Sequence, residues 1–241
     1  MVGWSVVWLA GCVVSPPPSF GGDDTDTVET DSPDTQPTGG GVSVLLLDDG
    51  TSGPQVEAAL QAAGHDVVRS VDYWQWDGTN PRARDVDVVV WLQGDTFADP
   101  LVDAADRGLV NFVQNGGGLI RTELGSYAAT IAPALAIDDL LPVSFDDDRL
   151  ADHSWKAVKR GHALLQGLPE VWDEPGSSAL VRLVGDAEKV MATQGGDPLL
   201  VVSTEHGGTI VYVNHDMTGT TPTISAEILG LMANAVSFAA P

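Results

Sequence analysis

The chain has 241 residues, of which 43% are hydrophobic, so it can fill the core of at least one sizeable domain. Its 34 acidic and 11 basic side chains give a formal net charge of −23, which repels phosphate backbones, and we therefore expect no nucleic-acid partner. Cys12 is the only cysteine, which excludes an internal disulfide and any multi-cysteine metal site, and we predict neither a bound metal nor a cofactor.

A short apolar run, residues 4–11, leads to the sequence Leu9-Ala10-Gly11-Cys12. The run is too short to span a bilayer, and small residues before the cysteine are typical of a signal-peptide cleavage site. These four residues resemble the lipobox of bacterial lipoproteins, in which the cysteine is lipidated and becomes the mature N-terminus. We therefore predict a lipoprotein signal peptide at residues 1–12, export, and a membrane anchor at Cys12. A buried strand with a chance cysteine is the alternative.

Residues 13–41 are rich in Pro, Gly, Asp and Thr and nearly free of apolar side chains. Such a segment cannot bury enough surface to offset its ordering entropy, so we predict a disordered acidic tether. The tether would hold a domain of residues 42–241 away from the membrane. No aspartate directly follows Cys12, and by resemblance to the sorting rules of Gram-negative lipoproteins this favours the outer membrane. Six acids lie in this tether: Asp23, Asp24, Asp26, Glu29, Asp31 and Asp34.

From residue 42 onward, apolar β-rich runs alternate with amphipathic segments. This alternation with short connections predicts an α/β domain, a doubly wound, flavodoxin-like and mostly parallel sheet with helices on both faces. The predicted strands are 42–47, 65–71, 86–92, 119–122, 179–184, 189–193, 199–203 and 209–214, and the predicted helices are 54–64, 100–113 and 223–238. We predict irregular structure over residues 140–172, which leaves Trp155 and Trp172 outside regular strands.

Polar residues follow four of the predicted strands. In an open parallel sheet, ligands bind beyond the carboxyl ends of the strands, so we predict a crevice there for a small molecule or a carbohydrate. The alternative for Asp48, Asp49 and Asp95 is that they cap helices or fill turns. The candidates are Asp48, Asp49, Gln93, Gly94, Asp95, Thr122, Glu123, His215 and Asp216.

Three segments in a fixed order resemble a known family. Residues 115–120 read NGGGLI, residues 161–169 read GHALLQGLP, and residues 207–215 read GGTIVYVNH. Together they resemble the class I glutamine amidotransferase-like superfamily and, within it, the ThuA-like (trehalose utilisation) branch. The resemblance covers roughly residues 42–238 and implies a catalytic turn after the fourth strand and a catalytic histidine after a late strand.

The resemblance places Glu123 where amidotransferases have their nucleophilic cysteine, and His215 where they have the catalytic histidine. Because the domain has no cysteine, glutamine hydrolysis by a thiolate is excluded. We therefore predict a noncatalytic ligand-binding or scaffolding domain. The alternative function is a carbohydrate-active hydrolase or isomerase in which Glu123 and His215 activate a water molecule. A purely structural reading also stays open, with Glu123 as a helix N-terminal acid and His215 as a hydrogen-bonded turn residue.

Overall fold

The computed structural model describes residues 41–131, 135–218 and 224–241. The predicted signal peptide and nearly all of the predicted tether lie outside these residues. The strands within them are β1 (Ser43–Leu47), β2 (Asp66–Arg69), β3 (Val88–Trp91), β4 (Gly118–Thr122), β5 (Val143–Ala157), β6 (Val171–Leu183), β7 (Glu188–Ala192), β8 (Pro198–Ser203) and β9 (Ile210–Val213). The α-helices are α1 (Gly53–Ala62), α2 (Asp103–Gln114), α3 (Glu123–Ile131) and α4 (Ala226–Ala239).

The nine described strands form one mixed sheet in the order β2-β1-β3-β4-β9-β8-β7-β5-β6. The first five strands of this order pair in parallel, with Leu119 of β4 opposite Ile210 of β9. The remaining pairings, from β9 through β8, β7 and β5 to β6, are antiparallel. The predicted α/β class with a mostly parallel central sheet is confirmed.

Both faces of the sheet are covered, because the parallel strands are apolar on both sides. Alternate residues of β1 point to opposite faces: Val44 and Leu46 belong to one core, and Leu45 and Leu47 belong to the other. Helices α1 and α4 pack against the first core, and α2 packs against the second. In the described part of the chain, none of the helices has the length and apolarity needed to cross a bilayer.

The prediction of irregular structure over residues 140–172 is wrong for residues 143–157 and 171–172. These residues belong to a long antiparallel hairpin of β5 and β6, in which Trp155 pairs directly with Trp172. The register shifts between Phe145 and Arg149 and again between Ala151 and His153. Such irregularities interrupt the period-two alternation by which a strand is recognised in a sequence, so the pattern did not indicate a strand here.

Candidate functional site

The carboxyl ends of β4 and β9 bring Glu123 and His215 together. The two strands are adjacent and parallel, with Thr122 opposite Val213, so the residues that follow them meet at one edge of the sheet. The backbone N–H of Glu123 donates to the carbonyl of His215 over 3.4 Å. Both side chains are buried, Glu123 being 0% and His215 1% exposed. The two residues are therefore backbone neighbours inside the protein and do not lie on an open surface.

His215 is bonded through its side chain to Glu174, a residue of β6. Its Nε2 donates to Glu174 Oε1 over 3.1 Å, and both side chains are 1% exposed. The other oxygen of Glu174, Oε2, accepts from Trp172 Nε1 at 2.9 Å and from Ser225 Oγ at 2.6 Å. Burial on its own would raise the pKa of Glu174, but the hydrogen bonds from His215, Ser225 and Trp172 together lower it below its usual value. Glu174 is therefore a buried carboxylate that is fully satisfied by donors.

Aromatic rings enclose this histidine–glutamate pair. Trp155 lies with its ring centroid 6.4 Å from that of His215 and stacks on Trp172 at 5.7 Å. In the described residues, Nδ1 of His215 is buried and has no hydrogen-bond partner. One ring nitrogen is thus fixed by a carboxylate and the other is left without a partner, an arrangement that orients an imidazole as a general base requires.

Glu123 is the first residue of α3 and directly continues β4. Its carbonyl oxygen accepts from Tyr212 Oη and from Ser126 Oγ, each at 3.0 Å. The hydroxyls of Tyr212 and Ser126 are themselves 2.8 Å apart. These contacts fix the strand-to-helix turn at Glu123, in which Ser126 is a buried structural hydroxyl.

Asp48 and Asp49, which follow β1, form hydrogen bonds and an ion pair with neighbouring segments at the same edge of the sheet. Asp49 Oδ2 accepts from the backbone N–H groups of Gly94 and Thr96, each at 3.1 Å, and so ties the loop after β3 to the end of β1. Asp48 is buried and forms a 2.8 Å ion pair with Arg69 of β2. Each also accepts a hydrogen bond from the turn after β1, Asp48 from Gly50 N at 3.1 Å and Asp49 from Thr51 N at 3.2 Å, as carboxylates that fill a turn do.

The remaining predicted residues of the edge differ in exposure. Asp95 is exposed. Gln93 and Thr122 are buried, and the backbone N–H of Gln93 donates to Thr122 Oγ1 over 3.4 Å. Asp216 is buried, and its Oδ2 accepts from Ser177 Oγ of β6 at 3.1 Å. Apart from the exposed Asp95, these side chains have partners inside the protein.

Arg121 is a buried cation near this edge and was not among the residues predicted from the sequence. It is 1% exposed, and its guanidinium carbon lies 3.5 Å from the ring centroid of Trp91. Its Nη2 donates to Gln93 Oε1 over 2.7 Å and lies 3.7 Å from Asp138 Oδ1. Burial lowers the pKa of Arg121, while the charge of Asp138 opposes that shift. A lone arginine inside an apolar strand was the signal that could have found it, because such a charge requires a buried partner.

Glu174 and Asn214 are the other residues that sequence reasoning missed. Asn214, which follows β9, is fully buried; its Oδ1 accepts from Ala179 N at 2.9 Å, and its Nδ2 donates to the carbonyls of Ala179 and Pro198, each at 2.8 Å. Asn214 therefore joins β6 and β8 to the end of β9. Glu174 lies 41 positions before His215, in a stretch between residues 172 and 179 that the sequence assigned to no strand, so no spacing in the sequence could connect the two.

Comparison with solved structures identifies relatives of this fold, whereas no protein-family model and no curated protein sequence matches the chain. A cytoplasmic protein from Salmonella typhimurium is similar with a TM-score of 0.63 at 17% identity, over 83% of this chain and 99% of its own. A ThuA-like protein from Bacteroides uniformis gives 0.59 at 12% identity, over 80% and 88%. A glutamine amidotransferase from Thermotoga maritima gives 0.50 at 11% identity, over 72% and 75%. The chain therefore has the α/β fold seen in ThuA-like proteins and glutamine amidotransferases.

Proposed function

We propose that this chain is a noncatalytic ligand-binding or scaffolding domain, held at the cell envelope as a lipoprotein through Cys12. The observation that carries the noncatalytic part is the burial of the turn after β4, where Glu123 stands in place of a nucleophilic cysteine with none of its surface exposed. A reacting group must touch its substrate, and a carboxylate enclosed in the protein does not. The hydrogen bonds around Glu174 and Asp49 favour the same conclusion, because these carboxylates already have partners inside the fold.

One observation favours the alternative of a carbohydrate-active hydrolase or isomerase. His215 has Nε2 fixed by Glu174, and among the described residues its Nδ1 has no partner, so the imidazole is oriented as a base would be. In that alternative, Nδ1 would take a proton from a water molecule, and Glu174 would stabilise the charged ring. Glu174 would then be the positioning residue, with Glu123 as the second acid–base group.

The two functions are separated by a turnover assay with a matched pair of variants. The parent protein, Glu123→Gln and His215→Asn are incubated with glutamine and with a panel of nitrophenyl glycosides. We expect the parent to release no more product than either variant, because the side chains of Glu123 and His215 are both buried. Turnover by the parent that is lost in both variants would overturn the noncatalytic proposal, provided that circular dichroism shows both variants to be folded.

The lipoprotein part of the proposal rests on the lipobox-like sequence before Cys12 and is tested separately. In cells fed radiolabelled palmitate, we expect the parent protein to take up label and to require detergent for extraction, while Cys12→Ser does neither. Density-gradient separation should then place the parent in outer-membrane fractions. Detergent-requiring membrane association that persists unchanged in Cys12→Ser would show that Cys12 is not the anchor.

A further inference from the structure

A second site candidate lies at the opposite edge of the sheet from Glu123 and His215. A cavity of about 650 Å³ opens between α2 and the segment of residues 76–87. Its lining includes Asp87 and Gly117, which immediately precede β3 and β4, so the cavity lies at the amino ends of the parallel strands. The site around Glu123, His215 and Glu174, which we call the carboxyl-edge site, contributes none of these residues to the lining of this cavity. Binding of a ligand in the cavity therefore does not depend on the function proposed above.

The inner wall of the cavity is apolar. It is formed by Trp76, Ala83, Val86 and Phe112, of which all but Val86 are buried side chains of the second core. The indole N–H of Trp76 donates to the carbonyl of Pro81 over 2.8 Å, so the polar atom of that ring already has a partner. A cavity of this volume with an apolar wall is within the size range of small-molecule sites and favours a ligand with an apolar body.

The rim of the cavity has a cation that forms no ion pair with any described residue. Arg82 is held by Asp85 through two hydrogen bonds of 2.7 and 3.0 Å. Asp87 is held by Ser43, whose backbone N–H and hydroxyl both donate to its Oδ2 at 2.9 and 2.7 Å. In the described residues, Arg84 is exposed at the rim without an ion pair. Although the domain has 28 acidic and only 11 basic side chains, Arg84 therefore stands beside an apolar cavity without a described ion-pair partner.

We propose that this cavity binds a small apolar molecule that carries one carboxylate, with the body of the molecule against Trp76 and Phe112 and the carboxylate on Arg84. The guanidinium presents several N–H donors in a plane and can hold a carboxylate through two hydrogen bonds. The carboxylate of the ligand would supply the counter-charge that Arg84 lacks. The apolar wall of the cavity thus selects the apolar body of the ligand, and Arg84 selects its carboxylate.

Two probes of the same shape test the charge requirement. Isothermal titration calorimetry is done on the full chain with 1-naphthylacetate and with its uncharged isostere 1-naphthylacetamide. We expect one molecule of the acetate to bind per chain at least tenfold more tightly than the amide. Arg84→Gln should abolish this difference and leave the affinity for the amide within twofold. Arg107→Gln is the matched control, since Arg107 is an exposed arginine of α2 outside the cavity lining, and it should change neither affinity.

A cavity-filling variant tests the location. Gly108 lines the cavity from α2, and a Cβ built on it meets no atom within 4 Å, so Gly108→Leu can enter the space without disturbing the backbone. We expect this variant to bind both probes at least tenfold more weakly, with a Tm no lower than that of the parent. Equal affinity for the two probes, an unchanged preference in Arg84→Gln, binding that survives Gly108→Leu, or no saturable binding at all would each overturn the proposal.

Discussion

Glu174 is the residue whose surroundings define the carboxyl-edge site. Three donors from three different elements, β6, the segment after β9 and the start of α4, converge on one buried carboxylate. A carboxylate that has been removed from water costs free energy unless its oxygens accept hydrogen bonds, and here both oxygens do. The same contacts fix the ring of His215, so that the stability of this edge and the orientation of the histidine depend on one group.

We expect Glu174→Gln to lower the free energy of unfolding at pH 7 by about 1–3 kcal/mol, because an amide nitrogen would face donors that the carboxylate oxygens now accept from. The folded-state pKa of Glu174 lies below its usual value, so its contribution is fully present above the ordinary glutamate pKa of about 4 and is lost as the pH falls through the lower folded value. The stability difference between parent and variant should therefore shrink in acid.

Urea unfolding at a series of pH values from 7 to about 3 measures this difference. Glu170→Gln is the matched control, because Glu170 is exposed and its ion pair with Arg160 lies at the surface, where such pairs contribute little. A difference between parent and Glu174→Gln that stays constant over the whole pH range would contradict the proposed role of the carboxylate.

For single residues, the sequence predicted their positions in the sheet better than it predicted which side chains they contact. Glu123 and His215 were placed at one edge of the sheet from strand order and family resemblance, and the backbone hydrogen bond between them shows that they are neighbours. The acid that bonds to His215 could not be predicted, because Glu174 is brought there by pairing between distant strands. Arg121 was overlooked for a different reason, since its burial depends on the ring of Trp91 and on Gln93, both in another segment.

The hairpin of β5 and β6 is the element that extends the parallel sheet into a mixed one. It brings Trp155, Trp172 and Glu174 to the end of β9, and so supplies one wall of the site around His215. The parallel half of the sheet was predictable because its strands are continuous apolar runs between short helices. Of the hairpin, only residues 179–184 were predicted as a strand, because the register shifts and the run of aspartates hide the alternation of its other buried residues.

Close packing between β4 and α4 explains one glycine of the NGGGLI segment. A Cβ on Gly118 would lie 2.4 Å from the carbonyl oxygen of Ala239, in the last turn of α4, so the strand and the helix could not keep their present distance. We expect Gly118→Ala to lower the free energy of unfolding by about 1–3 kcal/mol through overpacking. Gly108→Ala is the control, since its Cβ would meet nothing within 4 Å, and in the middle of a helix it should be neutral or stabilise by up to about 1 kcal/mol.

Chemical denaturation of the two alanine variants shows whether the destabilisation comes from the clash with Ala239 or from replacing a glycine by alanine as such. If Gly118→Ala unfolded at the same denaturant concentration as the parent, the approach of β4 to α4 would not require a glycine. If Gly108→Ala were destabilised as strongly as Gly118→Ala, the effect could not be assigned to the contact with Ala239.

Charged residues and the residues that form the core are distributed unevenly along the chain. All 11 basic side chains lie beyond residue 42, while six of the acids lie in the short stretch of residues 23–34. Among the described residues, the buried side chains of both cores begin at β1, which lies between β2 and β3 near one end of the sheet. This distribution leads us to expect that the residues needed for folding begin at about residue 42.

We therefore predict that residues 42–241, produced alone, unfold cooperatively with a Tm within about 2 °C of that of the full chain. The physical reason is that the cores on both faces of the sheet are built from residues of this range, so removal of residues 1–41 takes no described side chain out of either core.

A second truncation to residues 49–241 is the control. It lacks β1, whose four buried residues contribute to both cores and whose backbone pairs with β2 and β3, and it should show no cooperative transition. Thermal unfolding followed by circular dichroism measures both. If the chain of residues 42–241 lost its cooperative transition while the full chain kept it, residues before 42 would be part of the fold, and the proposed division into tether and domain would have to be abandoned.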